Sequence, residues 1–406
     1  MEALRWPRAP EAYRPDYSRC LTGVYPTVYR LLGHDPGARG DLLSILPKAS
    51  PRQAQRAFVL CLDGFGFKEL AGAERFRAVY PRYGTWITSV YPTITSCALT
   101  SLYQALPPGR HGILGHYVWK EFPGAIVDML RMQADGAETS LAAAGFDVRR
   151  WQREPGQLDG TGPRGSQFLH FSIVNSDLST FCYGKAELGG FQETLEGFTK
   201  AARRLEESPH GWVGLYLATI DSLSHAVTGD SPQVSIAVRQ IEQALAWMVS
   251  ILPRGVAEET ALFVVADHGQ NTLRSIGRWN APQRDQLWER ARAVGASGRT
   301  MHFYAKPGQR ASLLGWLRDS FAEAADVFEY EEIAELTGPG RDDEWVRQSL
   351  GDAVAVFRSG FHWEKDGLLR KIKKYETELV SQHGALTWDE MFVPMICAPL
   401  SAFAGE

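Results

Sequence analysis

The sequence predicts an α/β protein built on a doubly wound, mostly parallel central sheet with helices on both faces. Three observations carry the prediction. First, the runs Ala57–Asp63, Trp212–Asp221, Ala261–Asp267 and Phe392–Cys397 are apolar almost throughout. A strand covered on both faces has no solvent side, so it reads as a continuous apolar run rather than an alternating one. Second, helical patterns fall between the runs. In Pro232–Leu252 the residues Val234, Val238, Ile241, Leu245 and Met248 recur at three- and four-residue spacing and form one apolar stripe. Third, strand and helix alternate, which is the order of parallel crossover units. Ligands of such sheets bind outside the carboxyl ends of the strands.

The whole-chain figures agree with a folded, water-exposed protein. The 406 residues allow two or three domains, or one large domain with insertions. With 44% hydrophobic and 22% charged residues, the composition excludes a mainly disordered chain. Basic residues number 43 and acidic ones 47, so no global charge invites a nucleic-acid polymer. No apolar run reaches the roughly 18 residues of a membrane span. The stretch Met1–Tyr17 mixes Arg, Glu, Asp and Pro and has no signal-peptide core. Cys20, Cys61, Cys97, Cys182 and Cys397 form no C-x-x-C pair, so neither a disulfide framework nor a zinc ribbon is expected. The expected setting is reducing and cytoplasmic.

Taken in order, residues 1–50 are rich in Pro, Gly and Arg and read as an N-terminal extension with a short helix at Val24–Leu32. The first apolar run ends at Asp63 and turns through Gly64-Phe65-Gly66. Tyr91–Cys97 leads into a helix over Ala98–Leu106, closed by Pro107-Pro108. Thr95 or Ser96 is then expected at the helix N-cap, facing unpaired N–H groups and the positive end of the helix dipole. Those features bind phosphate and favour an alkoxide. His111, before Gly112, reads as a turn-orienting residue. A further helix is expected at Gly197–Glu207. The α/β core therefore comprises 51–116, 211–274 and 381–406. The intervening 117–210 and 275–380 are too long for loops. They contain strand-like runs such as Gln167–Ile173 and Thr300–Ala305, and they are expected to form an inserted cap that selects the substrate. The basic run Arg370–Lys374 reads as a solvated helix face.

Three apolar runs end in an acid: Asp63, Asp221 and Asp267. All three carboxylates fall at one sheet edge, where they repel unless a cation or proton lies between them. Asp221 is followed four residues later by His225, and Asp267 directly by His268. Carboxylate and neutral imidazole are zinc ligands. Two Asp/His pairs and a third Asp at one edge point to a two-metal centre.

Six segments in order carry a family pattern: Leu62–Gly66, Tyr91–Thr95, Pro108-Gly109-Arg110-His111-Gly112-Ile113, Asp221–His225, Ala266-Asp267-His268-Gly269 and His383-Gly384. Together they resemble the type I phosphodiesterase/nucleotide pyrophosphatase branch of the alkaline phosphatase superfamily. The resemblance implies an alkaline-phosphatase-like sheet carrying two divalent ions, zinc by ligand type. Asp221, His225 and His383 would hold one ion. Asp63, Asp267 and His268 would hold the other, which would also contact Thr95 as nucleophile. The family often has an Asn a few residues after the His-Gly-Ile motif, where it binds phosphate. Here that place falls to His116, a candidate substrate contact. Thr95-Ser96-Cys97-Ala98-Leu99 lacks the Arg of the sulfatase branch.

The expected activity is hydrolysis of a phosphodiester or nucleotide pyrophosphate through a covalent phospho-threonine. Its partner would be a small-molecule substrate, with no nucleic-acid polymer and no membrane. The alternatives are a phosphomonoesterase, a phosphonate hydrolase or a phosphomutase-like isomerase. A monoester brings an extra negative charge, which calls for a cation. No Arg or Lys lies within ten residues of Thr95, so diesters are favoured. A distant Arg278, Lys306 or Arg358 could reach the site through the cap.

Overall fold

The computed structural model describes residues 1–365, 368–369 and 379–404; the basic run Arg370–Lys374 lies outside the described residues. The strands in chain order are β1 (Arg56–Leu62), β2 (Gly84–Thr88), β3 (Tyr117–Lys120), β4 (Ala125–Asp128), β5 (Gln133–Ala134) and β6 (Gly165–His170). There follow β7 (Glu187–Phe191), β8 (Gly211–Leu217), β9 (Thr260–Val265), β10 (Asn271–Thr272), β11 (Ser275–Gly277) and β12 (Ala291–Ala296). The last are β13 (Thr300–Ala305), β14 (Ala325–Glu329), β15 (Ala353–Phe357), β16 (Phe361–Trp363), β17 (Ser381–Gln382) and β18 (Phe392–Pro399).

The central sheet has seven strands in the order β2-β18-β9-β1-β8-β6-β7. β1, β8 and β9 are buried along their whole length, as their unbroken apolar sequences require. They run parallel, with Phe58 opposite both Val213 and Leu262. Helices flank the sheet. The clearest is Pro232–Ile251, where the Ser231 side chain accepts from the Val234 N–H and Pro232 opens the first turn. Its stripe of Val234, Val238, Ile241, Leu245 and Met248 is buried, as its spacing predicts.

One strand departs from the parallel set. β18 pairs antiparallel with both β9 and β2. The chain reaches it from the edge where β9 ends, with only the short helix Trp388–Met391 before it. A parallel strand would need a long crossover back to the opposite edge. The apolar run at 392–397 identified a strand but not its direction.

A second seven-stranded sheet, β14-β15-β13-β12-β3-β4-β5, is antiparallel throughout. It draws strands from 117–134 and 291–357, so both long insertions contribute to one sheet. The boundary of the first insertion is corrected here: inside 117–210, β6 pairs with β8 and β7 pairs with β6, so both extend the central sheet. The run at Gln167 is a strand, buried from Ser166 to Leu169, but its partner sheet is set by long-range pairing with β8.

The N-terminal extension is packed onto this body. Trp6 and the helix Val24–Leu31 are buried, and Tyr13 N–H donates to Leu386 O at 2.8 Å. All five cysteines are buried and free. Among the described residues, no helix is long and apolar enough to cross a membrane.

Candidate metal centre

Asp63 directly follows β1, and Gly64 turns the chain at φ +72°. A side chain at Gly64 would lie 3.1 Å from Asp221 Cα, so glycine lets the two segments meet. Asp221 is not the end of a strand. β8 stops at Leu217, and Asp221 sits in the first turn of the helix Thr219–Ala226. His225 follows one turn later on the same helix face. Asp267 and His268 come just after β9, and His383 just after β17. Backbone bonds join the segments: Asp63 N–H donates to Leu217 O and Asp221 N–H to Asp63 O.

Two triads result. In Asp63/Asp267/His268 and in Asp221/His225/His383, the donor atoms lie within 4.8 Å of one another. His268 Nε2 is 3.5 Å from Asp63 Oδ1 and 3.3 Å from Asp267 Oδ2. The Nε2 atoms of His225 and His383 are each 3.4 Å from an Asp221 oxygen. A tetrahedral ion with bonds of about 2.0–2.1 Å separates its ligand atoms by about 3.3–3.4 Å. The spacings fit an ion of that size in each triad. Asp63 Oδ1 and Asp267 Oδ2 are buried without a hydrogen-bond partner, as atoms intended for a cation would be. The rings of His268 and His383 stack at 3.6 Å, so the triads are neighbours.

The histidines are pre-oriented. Nδ1 of His225 faces Ser381 O at 2.9 Å, Nδ1 of His268 faces Gly269 O at 3.1 Å, and Nδ1 of His383 faces Thr93 O at 2.9 Å. A carbonyl only accepts, so each Nδ1 carries a proton and is held by its carbonyl, and each ring turns its Nε2 inward toward the carboxylates.

The charges are unbalanced without cations. Burial, then Asp267 and Asp221, pushes the Asp63 carboxyl well above its ordinary range. Burial also raises Asp267, with His268 opposing it. Burial would raise Asp221 as well, yet His225 and His383 hold it below the usual carboxylate range. Burial draws His225 down, but Asp221 outweighs it and lifts the imidazole to about 9. Carboxylates crowded in this way are the setting a divalent ion relieves.

Thr95 Oγ1 lies 3.2 Å from His268 Nε2. Thr95 is the first residue of the helix Thr95–Gln104; Ile94 is the N-cap, and no side chain caps the helix. The expected capping role of Thr95 or Ser96 is therefore corrected. Ser96 Oγ instead donates to Gly115 O. His111 is a buried structural residue, bonded to Ser101 and to the Ile113 N–H. His116 is not brought to the triads: its Nε2 faces Asp128 at 3.3 Å and its ring stacks on Tyr117.

A cavity of about 600 Å³ opens beside Asp63, Thr95 and Asp221. Its walls include Leu99, Leu130, Ile173 and Leu178, with Asn175 and Arg131 among the polar lining. Of the two insertions expected to select the substrate, 117–210 lines it, chiefly through Ser172–Tyr183, whereas none of its lining residues comes from 275–380. Of the candidate cations, Arg278 pairs with Glu364, Lys306 donates to Trp288 O and Arg358 pairs with Asp326. Arg131 was missed because it lies far from the motifs in sequence. Gln270 and Tyr216, which donate to Asp221 and Asp63, were missed too. Only Gln270 had a signal, its place directly after Asp-His-Gly.

The family profile of type I phosphodiesterase / nucleotide pyrophosphatase matches residues 169–384, more than half of the chain. The chain belongs to this family. Solved structures share the fold over most of the chain. Murine ectonucleotide pyrophosphatase / phosphodiesterase 5 in complex with AMP is similar at TM-score 0.63 and 16% identity, covering 85% of this chain and 88% of that one. The human counterpart gives TM-score 0.62 at 14% identity, with the same coverage. Phosphonoacetate hydrolase from Sinorhizobium meliloti, in complex with phosphonoformate, gives 0.60 at 17% identity, covering 88% and 97%. Comparison with curated protein sequences found no match.

Proposed function

We propose that the chain is a two-metal hydrolase that cleaves a phosphodiester or nucleotide pyrophosphate bond, with Thr95 as nucleophile. The observation that carries the reading is a convergence. Thr95 Oγ1 approaches the same His268 Nε2 on which Asp63 Oδ1 and Asp267 Oδ2 close. Two divalent ions, zinc by donor type, supply the positive charge that lowers a hydroxyl pKa and neutralises a phosphoryl group. Asp63, Asp267 and His268 would hold one ion, and Asp221, His225 and His383 would hold the second.

Thr95 gives up its hydroxyl proton to solvent and attacks phosphorus opposite the leaving oxygen, which departs as an anion and takes up a proton from solvent. The bond from Thr95 to phosphorus forms as the bond to the leaving group breaks, which leaves a phospho-threonine. Water then attacks that phosphorus and restores the hydroxyl. The unpaired N–H groups of the helix that Thr95 opens favour the anionic phosphoryl group. The free, buried cysteines support a reducing, cytoplasmic setting. A second reading, phosphonate hydrolase or phosphomonoesterase, has Arg131 in its favour: it lines the cavity as a cation, paired with Asp128 at 3.3 Å, and a cation there suits a substrate with an additional anionic group.

Elemental analysis and turnover of bis(4-nitrophenyl) phosphate, with 4-nitrophenyl phosphate and phosphonoacetate in parallel, test the proposal. Two ions per chain and chelator-sensitive diester hydrolysis are expected. A metal-free protein whose activity ignores chelator would overturn it. A tenfold or greater preference for the monoester or the phosphonate would select the second reading.

A further inference from the structure

We infer that Gln270 is a positioning residue that couples the two metal triads, so that filling the Asp63/Asp267/His268 triad prepares Asp221 for the second ion. The inference rests on the metal-dependent reading above and concerns a residue outside both ligand sets. Gln270 is 2% exposed and lies two residues beyond His268. Its Nε2 donates to Asp221 Oδ1, the oxygen that faces His383 Nε2 at 3.4 Å. Its Oε1 accepts from Ser381 Oγ at 3.1 Å. Ser381 O in turn receives His225 Nδ1 at 2.9 Å, and His225 Nε2 faces Asp221 Oδ2 at 3.4 Å. Gln270, Ser381, His225 and Asp221 therefore close a ring of polar contacts.

The amide orientation follows from chemistry. A carboxylate only accepts, so the NH₂ must face Asp221, and the carbonyl is left for the Ser381 hydroxyl. Asp221 needs such a tether. It stands on a helix, whereas Asp267 and His268 stand on the loop after β9 that also carries Gln270. Gly64, next to Asp63, leaves the space: a Cβ there would come within 3.0 Å of Gln270 Nε2. An ion held by Asp63, Asp267 and His268 fixes the loop on which Gln270 rides. Gln270 then presents Asp221 Oδ1 to His383. Groups behind the ligands change metal affinity by about 10–100-fold when removed.

The test is zinc titration of the chelator-stripped protein by calorimetry, against Gln270→Met, Ser381→Ala and His225→Ala. Met matches Gln in length and keeps the buried volume while removing both hydrogen bonds. The wild type is expected to take up two ions. His225→Ala marks the step that belongs to the second triad. Gln270→Met should weaken that step tenfold or more and leave the other unchanged, with an unaltered circular dichroism spectrum. Ser381→Ala removes only the hydroxyl contact and should weaken the same step less. Equal affinities in wild type and Gln270→Met, or equal weakening of both steps, would overturn the coupling. A wild type that binds no zinc or other divalent ion would instead remove the metal reading itself, and the coupling with it.

Discussion

Arg299 and Glu390 form an ion pair that solvent does not reach: Nη1 lies 2.5 Å from Oε2, and both side chains have zero exposure. Arg299 comes from the turn between β12 and β13 of the second sheet. Glu390 sits in the short helix before β18. Arg299 also donates to the carbonyls of Phe357, Arg358 and Phe361, and its N–H donates to His383 O. Glu390 accepts from Ala385 N–H and from Thr387. The loop that carries His383 is thus clamped from both sheets.

Breaking this pair from one side leaves a buried, unpaired charge. Glu390→Gln and Arg299→Met are each expected to cost about 3–5 kcal/mol of stability. The double variant should lose clearly less than the sum. Urea midpoints for the four proteins measure the coupling, and strictly additive losses would count against it.

Thr95→Ala should abolish turnover, by roughly three orders of magnitude or more, without weakening the helix it opens. Thr95 makes no capping bond and loses only its contact with His268 Nε2, so the stability change should stay at about 1 kcal/mol. Ser96→Ala should keep its rate, because Ser96 Oγ is committed to Gly115 O. Single-turnover kinetics and thermal melts of both variants separate the roles. A fast Thr95→Ala enzyme would mean that the nucleophile has been misassigned.

Asp267→Asn should have opposite effects with and without metal. Asp267 Oδ1 accepts from the Gly64 and His268 N–H groups, which an amide oxygen retains. Oδ2 has no hydrogen-bond partner and faces His268 Nε2 at 3.3 Å, where an amide N–H could donate. The stripped variant should therefore melt above the stripped wild type. With zinc at a hundred times its dissociation constant the order should reverse, since the wild type gains about 2.7 kcal/mol for each occupied site. Melting curves with and without chelator decide it.

Glu69 should make stability depend on pH. Its Oε2 accepts from Gly66 N–H at 2.9 Å, its Oε1 has no partner, and burial pushes its pKa up to about 7. The folded state holds this proton more tightly than the unfolded state, whose value is about 4.3. Its stabilising contribution is therefore complete below pH 4.3 and is lost as pH rises to 7. The slope is at most about 1.4 kcal/mol per pH unit. Subtracting the profile of Glu69→Gln isolates the effect, and parallel profiles would rule it out.

Much of the site was legible because its chemistry is written locally. Asp63, Asp267 and His268 each follow an unbroken apolar run, and such runs have few interpretations. Asp221 and His225 were legible as a pair but misplaced, since an apolar stretch does not mark where a strand gives way to a helix. The direction of β18 was hidden, because an apolar strand looks the same read either way. The sheet membership of β6 depends on pairing with β8, which no local pattern encodes. Arg131, Tyr216, Arg299 and Glu390 were invisible for a related reason. Each matters through a partner at least tens of residues away, or through a cavity that exists only once the chain has folded. Thr95 was read correctly as a hydroxyl at a helix start, and wrongly as its cap, because a one-residue shift separates the two.

The placement of β18 between β2 and β9 affects how the protein is made. A ribosome delivers β1, β2, β8 and β9 long before residues 392–399. Until they arrive, β9 presents an open edge and β2 has no place in the sheet. An open, apolar edge is a template for pairing with another chain. The nascent protein must therefore carry an adhesive half-sheet through most of its synthesis, and chains released before residue 399 would keep that edge permanently. Slow translation or premature termination in this stretch should appear as insoluble product, and a chaperone that covers strand edges should raise the soluble yield.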